Sequence, residues 1–302
     1  MNGVVTSLST GTPKTAPRDH PDLPSLSPLL YEHIVRDALR EDLGRAGDIT
    51  TDSIVPADAV QGVALVCRKD GAVAGLDVAA MAFQLIDPKV VFKVEIADGS
   101  RVAVGDVLAT IDGPARALLT AERVALNFLS HMSGIATVTR AIADSISEHK
   151  AQIICTRKTT PGLRALEKYA VRAGGGGNHR FGLDDGVLIK DNHVAFAGGI
   201  TPAIERARQR AGHLVMVQVE VDSLEQLREA LDLGVHAVLL DNMDVSTLTR
   251  AVEMIDGAAI AEASGSITAQ SAPAIAATGV DLISAGWLTH SAPALDIGLD
   301  VR

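Results

Sequence analysis

VMVQVEVDSLEQLREALDLGVHAVLLDNMDVSTLTRAVEMI, residues 215–255, holds two short apolar runs, 215–219 and 237–240, and two amphipathic segments, 223–233 and 245–255. Runs that are apolar on both faces read as strands covered on both sides, which is the pattern of parallel strands joined by crossover helices. The unit repeats outward from this stretch. Further apolar runs lie at 152–156, 186–189, 258–261 and 281–284, and the last four runs begin about 22 residues apart. Six β-α units fit an incomplete parallel barrel or an open doubly wound sheet. No GxGxxG follows a strand, and the four glycines at 174–177 lack the Lys-Ser/Thr of a phosphate loop, so they read as a flexible connection.

The residues after each run carry the chemistry. The first run ends in Arg157-Lys158, the second in Lys190-Asp191-Asn192, the third in Glu220 and the fourth in Asp241-Asn242. The fifth leads to Glu262 and then Ser264-Gly265-Ser266, and the sixth to Gly286, with His290 four residues on. A lone charge at a strand end is usually only solvated. A set at successive strand ends means more, because a barrel gathers those ends on one face, where barrel enzymes keep their active sites. The ends also segregate, with cations first, acids next and small residues last. The small-residue ends suit a phosphate held by backbone N–H groups. Asn178-His179-Arg180-Phe181-Gly182 adds two more cationic donors on a loop able to fold over a ligand. Arg157, Lys158, His179, Arg180 and Lys190 would repel one another unless a polyanion joined them. Glu220 and Asp241 suit Mg²⁺, which binds one or two carboxylates together with substrate phosphates. The residues therefore sum to an anionic small molecule, a phosphorylated cosubstrate and Mg²⁺.

Composition limits the alternatives. The chain has 302 residues, 47% hydrophobic and 21% charged, which excludes a wholly disordered protein. Aromatics are 3%, so the core must be built from Ala, Val, Leu and Ile. A net charge of −10 argues against nucleic-acid binding, and no apolar run reaches the ~20 residues of a membrane span. The two cysteines, Cys67 and Cys155, make no disulfide framework and point to a cytoplasmic setting. Residues 1–27, rich in Ser, Thr and Pro, read as a disordered tail. An N-terminal α+β domain follows over 28–133, with a helix closed by Gly44 and Gly47, two strands around Asp70-Gly71, a helix over 77–86, and strands at 90–96 and beyond Asp98-Gly99. Residues 118–130 and 133–148 read as two helices joined at His131–Gly134, and Arg123 on the first carries little information alone. The stretch 98–113 resembles half of a lipoyl carrier, but no lysine lies between Lys93 and Lys150 to hold a cofactor. The barrel spans 134–286, and 287–302 is expected to pack back on the N-terminal domain.

Several longer motifs are similar to the quinolinate phosphoribosyltransferase family. They are Thr156-Arg157-Lys158-Thr159-Thr160-Pro161-Gly162, Asn178-His179-Arg180, Leu188-Ile189-Lys190-Asp191-Asn192-His193, Val219-Glu220-Val221 and Leu240-Asp241-Asn242. Glu41-Asp42, Gly47-Asp48-Ile49-Thr50 and Ser133-Gly134-Ile135-Ala136-Thr137 match as well, so the resemblance runs from about residue 28 to the C-terminus. It implies an open-faced sandwich beside a barrel of fewer than eight strands. It implies conversion of quinolinate and 5-phosphoribosyl 1-pyrophosphate to nicotinate mononucleotide, pyrophosphate and CO₂, with Mg²⁺. It also implies a homodimer, or an assembly of dimers, in which Arg123 reaches the partner's site. By the same resemblance Arg157, His179, Arg180 and Lys190 bind the two carboxylates, and Lys158 contacts the pyrophosphate donor. Glu220 and Asp241 hold ribose hydroxyls and Mg²⁺, and Ser264, Gly265, Ser266, Gly286 and His290 cradle the 5′-phosphate. Lys158, Lys190, Glu220 and Asp241 form the catalytic set. Family members often carry Gly where this chain has Ser266. The alternatives are a homologue with a shifted substrate and an aldolase-like barrel using Lys158 or Lys190 as a Schiff-base nucleophile.

Overall fold

A computed structural model describes residues 23–302. The expected tail over 1–27 thus lies outside the described residues as far as residue 22. After a 3₁₀ turn at Pro28–Leu30 come helices α1 (Glu32–Leu43) and α2 (Ile49–Ile54). Gly44, at φ 53, ends α1, and Asp48 caps α2 by accepting the Thr51 N–H at 2.9 Å. Strands β1 (Val60–Cys67) and β2 (Gly71–Ala72), helix α3 (Leu76–Ile86), strands β3 (Val91–Val94), β4 (Arg101–Val102) and β5 (Val107–Pro114), and the long helix α4 (Ala115–Ser145) follow. An antiparallel sheet runs β12-β1-β5-β3, where β12 is Ile297–Val301 from the C-terminus. Val63, Leu65 and Ile111 from this sheet pack with Phe83 of α3 and Leu118 and Leu129 of α4. Outside that core the sheet carries ion pairs such as Arg302–Asp112 at 2.6 Å and Lys93–Glu95 at 2.8 Å.

Two local expectations are overturned here. The segments around Asp70-Gly71 do not pair with each other; β2 pairs with β4. Helix α4 claims that backbone, because Thr137 Oγ1 accepts the Ala72 N–H at 2.9 Å and a Cβ at Gly71 would fall 2.5 Å from the same oxygen. Helix α4 is also one unbroken helix rather than two, so residues 133 and 134 lie in its interior. Gly134 does not break it. A Cβ there would collide with the Pro293 carbonyl oxygen, so the glycine admits the returning C-terminal segment at close range.

The six runs form six parallel strands: β6 (Gln152–Ile154), β7 (Val187–Ile189), β8 (Val217–Val221), β9 (Ala237–Asp241), β10 (Ile260–Ser264) and β11 (Leu282–Ser284). Between and after them lie α5 (Arg164–Ala173), α6 (Asp191–Ala197), α7 (Ile200–Arg210), α8 (Leu224–Asp232), α9 (Val245–Ile255), α10 (Ala272–Ala276) and α11 (Trp287–His290). The side chains of Ser223 and Asp244 cap α8 and α9. The order is β6-β11-β10-β9-β8-β7, so β6 and β7 are edges and the barrel is incomplete. Glycines 174–177 lie beside the β6 edge, and Gly177 bridges to Ile154. They are packed rather than flexible, since a Cβ at Gly174 would lie 2.5 Å from the Ala136 carbonyl oxygen.

β8 and β10 each run past their expected ends, so Glu220 and Glu262 lie inside strands. Alternation explains the shift. Val217, Val219 and Val221 join the core under the helices, while Gln218 and Glu220 take the other face. Both Glu220 and Glu262 pair in register with Leu239, and Ser264 pairs with Asp241.

Candidate active site

The strand ends close around one cavity of about 670 Å³. Arg157, Lys158, His179, Arg180, Lys190, Glu220, Asp241, Ser264, Gly265, Ser266, Gly286 and His290 all line it. Arg123 does not: it is exposed on α4, away from the cavity. The cavity also takes in Thr156, Leu188, Leu239, Asn242, Glu262, Ile267, Ser284, Ala285 and Trp287, which the strand-end reading did not select as site residues. For four of them, Leu188, Leu239, Glu262 and Ser284, the signal was parity. Positions 188 and 190, 239 and 241, 262 and 264, and 284 and 286 differ by two, so each upper residue has a neighbour one layer deeper on the same face.

The cationic end is held by backbone contacts. Lys158 N–H donates to Thr156 Oγ1 at 3.0 Å, and Thr289 Oγ1 on α11 donates to the Lys158 carbonyl at 2.7 Å. Arg164 ties two loops together, with Nε on Thr159 Oγ1 at 3.0 Å and Nη1 on the Phe181 carbonyl at 3.1 Å. Glu167, fully buried on α5, accepts the Thr160 N–H at 3.0 Å and meets His131 Nε2 at 3.0 Å. Its neighbour Lys168, also buried, donates to the His179 carbonyl at 2.8 Å. The loop over the cavity is therefore anchored from beneath by ionisable side chains that do not line the site.

Arg180 Nη1 donates to the Gly186 carbonyl at 2.7 Å, while Arg157 Nε and Arg180 Nε are buried without a hydrogen-bond partner. Burial first, and then the like charge of Arg157, push the Arg180 guanidinium below its ordinary range. Two neighbouring guanidinium groups with unused buried donors have the chemistry to take a planar anion such as a carboxylate. Lys190 Nζ pairs with Glu220 Oε2 at 2.8 Å. Such a charged pair is the reverse of the desolvated lysine a Schiff-base enzyme needs.

At the small-residue end, Gly265 has φ 105, and a Cβ there would strike Asn242 Oδ1. Ser266 follows at φ 44, in the left-handed region that favours Gly. Asn242, at φ 53, donates from Nδ2 to Asp241 Oδ2 at 2.6 Å. The turn thus bends back on itself and brings backbone close to the cavity.

Among the described residues no cluster of three or more His, Cys, Asp or Glu side chains could hold a metal. Glu220 and Asp241 are two carboxylates on one cavity. That donor set fits a Mg²⁺ carried in with substrate phosphates and water, and not a resident ion caged by protein.

Comparison with known proteins agrees over nearly the whole described chain. Residues 48–133 match the family model for the quinolinate phosphoribosyl transferase N-terminal domain, and residues 135–300 match that for the C-terminal domain. Nicotinate-nucleotide pyrophosphorylase (carboxylating) of Mycobacterium leprae (strain TN) is 48% identical over 274 residues, covering 88% of this chain and 95% of that protein. A Nicotiana tabacum quinolinate phosphoribosyltransferase (decarboxylating), named as mitochondrial, is 41% identical over 288 residues, covering 89% of this chain and 82% of its own. The crystal structure of NadC from Streptococcus pyogenes superposes with a TM-score of 0.88 at 41% identity, covering 92% of this chain and 99% of that one.

Proposed function

The chain belongs to the quinolinate phosphoribosyltransferase family, and from that premise we propose how its cavity works. The enzyme transfers the phosphoribosyl group of 5-phosphoribosyl 1-pyrophosphate to quinolinate with loss of CO₂, giving nicotinate mononucleotide for NAD biosynthesis. The observation that carries the residue assignment is the convergence of Arg157, Arg180, Lys190, Glu220 and Asp241 on one cavity from separate strand ends.

Arg157 and Arg180 take the two carboxylates of quinolinate, with Lys190 beside them and His179 against the same wall. Guanidinium forks suit planar carboxylates, and each charge-assisted hydrogen bond contributes about 1.5–3 kcal/mol. Ser264, Gly265, Ser266, Gly286 and His290 hold the 5′-phosphate at the small-residue end. Glu220 and Asp241 accept ribose hydroxyls, and with pyrophosphate oxygens they would hold Mg²⁺. Bound Mg²⁺ supplies neutralising charge to the pyrophosphate. Lys158 contacts the pyrophosphate and stabilises the charge that grows as it departs. The pyridine nitrogen attacks ribose C1 while the bond from C1 to pyrophosphate oxygen breaks. The ring nitrogen is now cationic. The bond from C2 to its carboxylate then breaks, its electron pair stays on C2 next to that cation, and C2 takes up a proton as CO₂ leaves. No covalent enzyme intermediate is needed, and catalysis is electrostatic positioning.

Arg123, exposed on α4, completes the carboxylate site of a second copy of the chain, which makes the working unit a dimer. A cytoplasmic location goes with this reading; both cysteines are free and buried, and no described helix is long and apolar enough to cross a membrane. The test is direct: mix protein, Mg²⁺, quinolinate and 5-phosphoribosyl 1-pyrophosphate, then follow nicotinate mononucleotide by chromatography and CO₂ by trapping. Equimolar formation of both is expected. Mononucleotide without CO₂, or no turnover, would sink it.

A further inference from the structure

Strand β11 lies between β6 and β10 in the sheet. The segment after it, Gly286 and the one-turn helix α11, therefore stands between two parts of the cavity wall. One is Lys158, which follows β6; the other is Ser264-Gly265-Ser266, which closes β10. Helix α11 is bonded to both sides. Thr289, fully buried, donates from Oγ1 to the Lys158 carbonyl at 2.7 Å. Trp287 donates from Nε1 to the Ile267 carbonyl at 2.8 Å. An indole nitrogen only donates, so the direction of that bond is fixed. Gly286 keeps the approach close, since a Cβ there would fall 2.8 Å from Lys158 Cδ.

The two sides differ in what they need. The Lys158 backbone has a second restraint, its N–H on Thr156 Oγ1 at 3.0 Å. The turn on the other side is held against its own preference. Gly265 and Ser266 follow each other at φ 105 and φ 44, and the second is not a glycine. A non-glycine residue leaves that region unless its surroundings hold it there. Ser266 is exposed, so packing of its own side chain does not hold it. The turn is pinned at its ends instead. The Asn242 N–H donates to the Ser264 carbonyl at 3.0 Å and fixes the entry. Trp287 fixes the exit through the first carbonyl after Ser266. The Ile267 side chain is buried in the barrel core, which anchors the side chain but leaves the tilt of its peptide plane to the indole bond.

We infer that Trp287 is a positioning residue for the phosphorylated substrate. Its indole N–H holds the turn at 265–266 in the conformation that faces the 5′-phosphate. Together with Thr289 it sets the span between that turn and Lys158. The inference rests on the assignment of the 5′-phosphate to this end of the cavity.

The test uses the full-length enzyme. The chain has one tryptophan, so a single indole N–H signal in ¹⁵N spectra reports the bond with no assignment step. In the free enzyme that proton should exchange with water at least about tenfold more slowly than in a short peptide. Trp287→Phe keeps a ring and loses the donor. Its KM for 5-phosphoribosyl 1-pyrophosphate should rise roughly three- to tenfold, the worth of one net hydrogen bond, with the quinolinate KM within about twofold of wild type. Adding Ser266→Gly relieves the turn's preference to unwind, so the double variant should have a lower KM for 5-phosphoribosyl 1-pyrophosphate than Trp287→Phe alone. A wild-type indole N–H that exchanges as fast as in a peptide would overturn the inference, even if the variants fail to fold. So would an unchanged KM for 5-phosphoribosyl 1-pyrophosphate in folded Trp287→Phe, equal rises for both substrates, or a double variant no better than the single one. Wild-type enzyme with a protected indole N–H that binds no 5-phosphoribosyl 1-pyrophosphate by calorimetry would instead refute the reading of the cavity.

Discussion

Replacing Arg180 with Ala should separate the two substrates energetically. Its Nη1 is committed to the Gly186 carbonyl at 2.7 Å, and its Nε is buried with no partner. A fork of two charge-assisted hydrogen bonds to a carboxylate would contribute roughly 3–6 kcal/mol at most. Two effects reduce that figure. Arg180 is repelled by Arg157 and desolvated before any ligand binds, as its depressed pKa records, and the truncated site admits water in place of the guanidinium. The expected net loss of quinolinate affinity is therefore about 2–4 kcal/mol, or roughly 30- to 1000-fold in Kd. Arg180→Lys keeps the charge but not the planar fork, and should fall between the two. Titration calorimetry with quinolinate measures the effect. The same titration with 5-phosphoribosyl 1-pyrophosphate is the control, since that ligand's 5′-phosphate is assigned to the small-residue end of the cavity and its pyrophosphate to Lys158, not to Arg180. Folded Arg180→Ala and Arg157→Ala proteins that both bind quinolinate with wild-type affinity would refute the carboxylate assignment.

Gly265→Ala should raise the KM for 5-phosphoribosyl 1-pyrophosphate more than that for quinolinate, because a Cβ there strikes Asn242 Oδ1; the accompanying strain of about 1–3 kcal/mol should show as a lower melting temperature. Glu220→Gln removes the negative charge beside Lys190 while leaving an acceptor for it, and kcat should fall at saturating substrates while quinolinate Kd moves less than in Arg180→Ala, read by paired kinetics and calorimetry. Gly134→Ala should destabilise the protein by about 1–3 kcal/mol in denaturant melts, because the Pro293 carbonyl must give way. Hydrogen bonds from Thr51 hold the Asp48 carboxyl below the ordinary carboxylate range. A lowered folded-state pKa means its stabilisation is full above the unfolded value of about 4 and is lost as pH falls through the folded value, so the stability gap between wild type and Asp48→Ala should narrow on acidification.

The barrel was legible because its cause is local. The strands turn an apolar face to the helices, as Val217, Val219 and Val221 do on β8, and the helices between them carry their own caps at Ser223 and Asp244. What misled the reading was also local. Gly134 and the glycines at 174–177 read as a break and a loose connection, yet Gly134, Gly174, Gly176 and Gly177 are small because another backbone or side chain approaches each in space. Gly71 read as the turn of a hairpin, but its backbone is drawn to Thr137 of α4. These partners are distant in the chain, so spacing alone carries no trace of them.

By itself the sequence determined that there are six strands, and that cations, acids and small residues follow one another in that order toward their C-terminal ends. Those follow from periodicity and from the rule that ionised groups do not sit in apolar strands without a reason. Only the folded molecule decided that His179 Nε2 meets Gln218 Oε1 at 3.1 Å and that Gln218 Nε2 donates to Glu262 Oε2 at 2.7 Å, because both contacts depend on which face of β8 and β10 turns inward. It also decided that Arg123 stands apart from the cavity of its own chain. Hydrogen-bond direction and distance belong to three-dimensional placement, and residues 39 and 44 positions apart meet only once the sheet has curled.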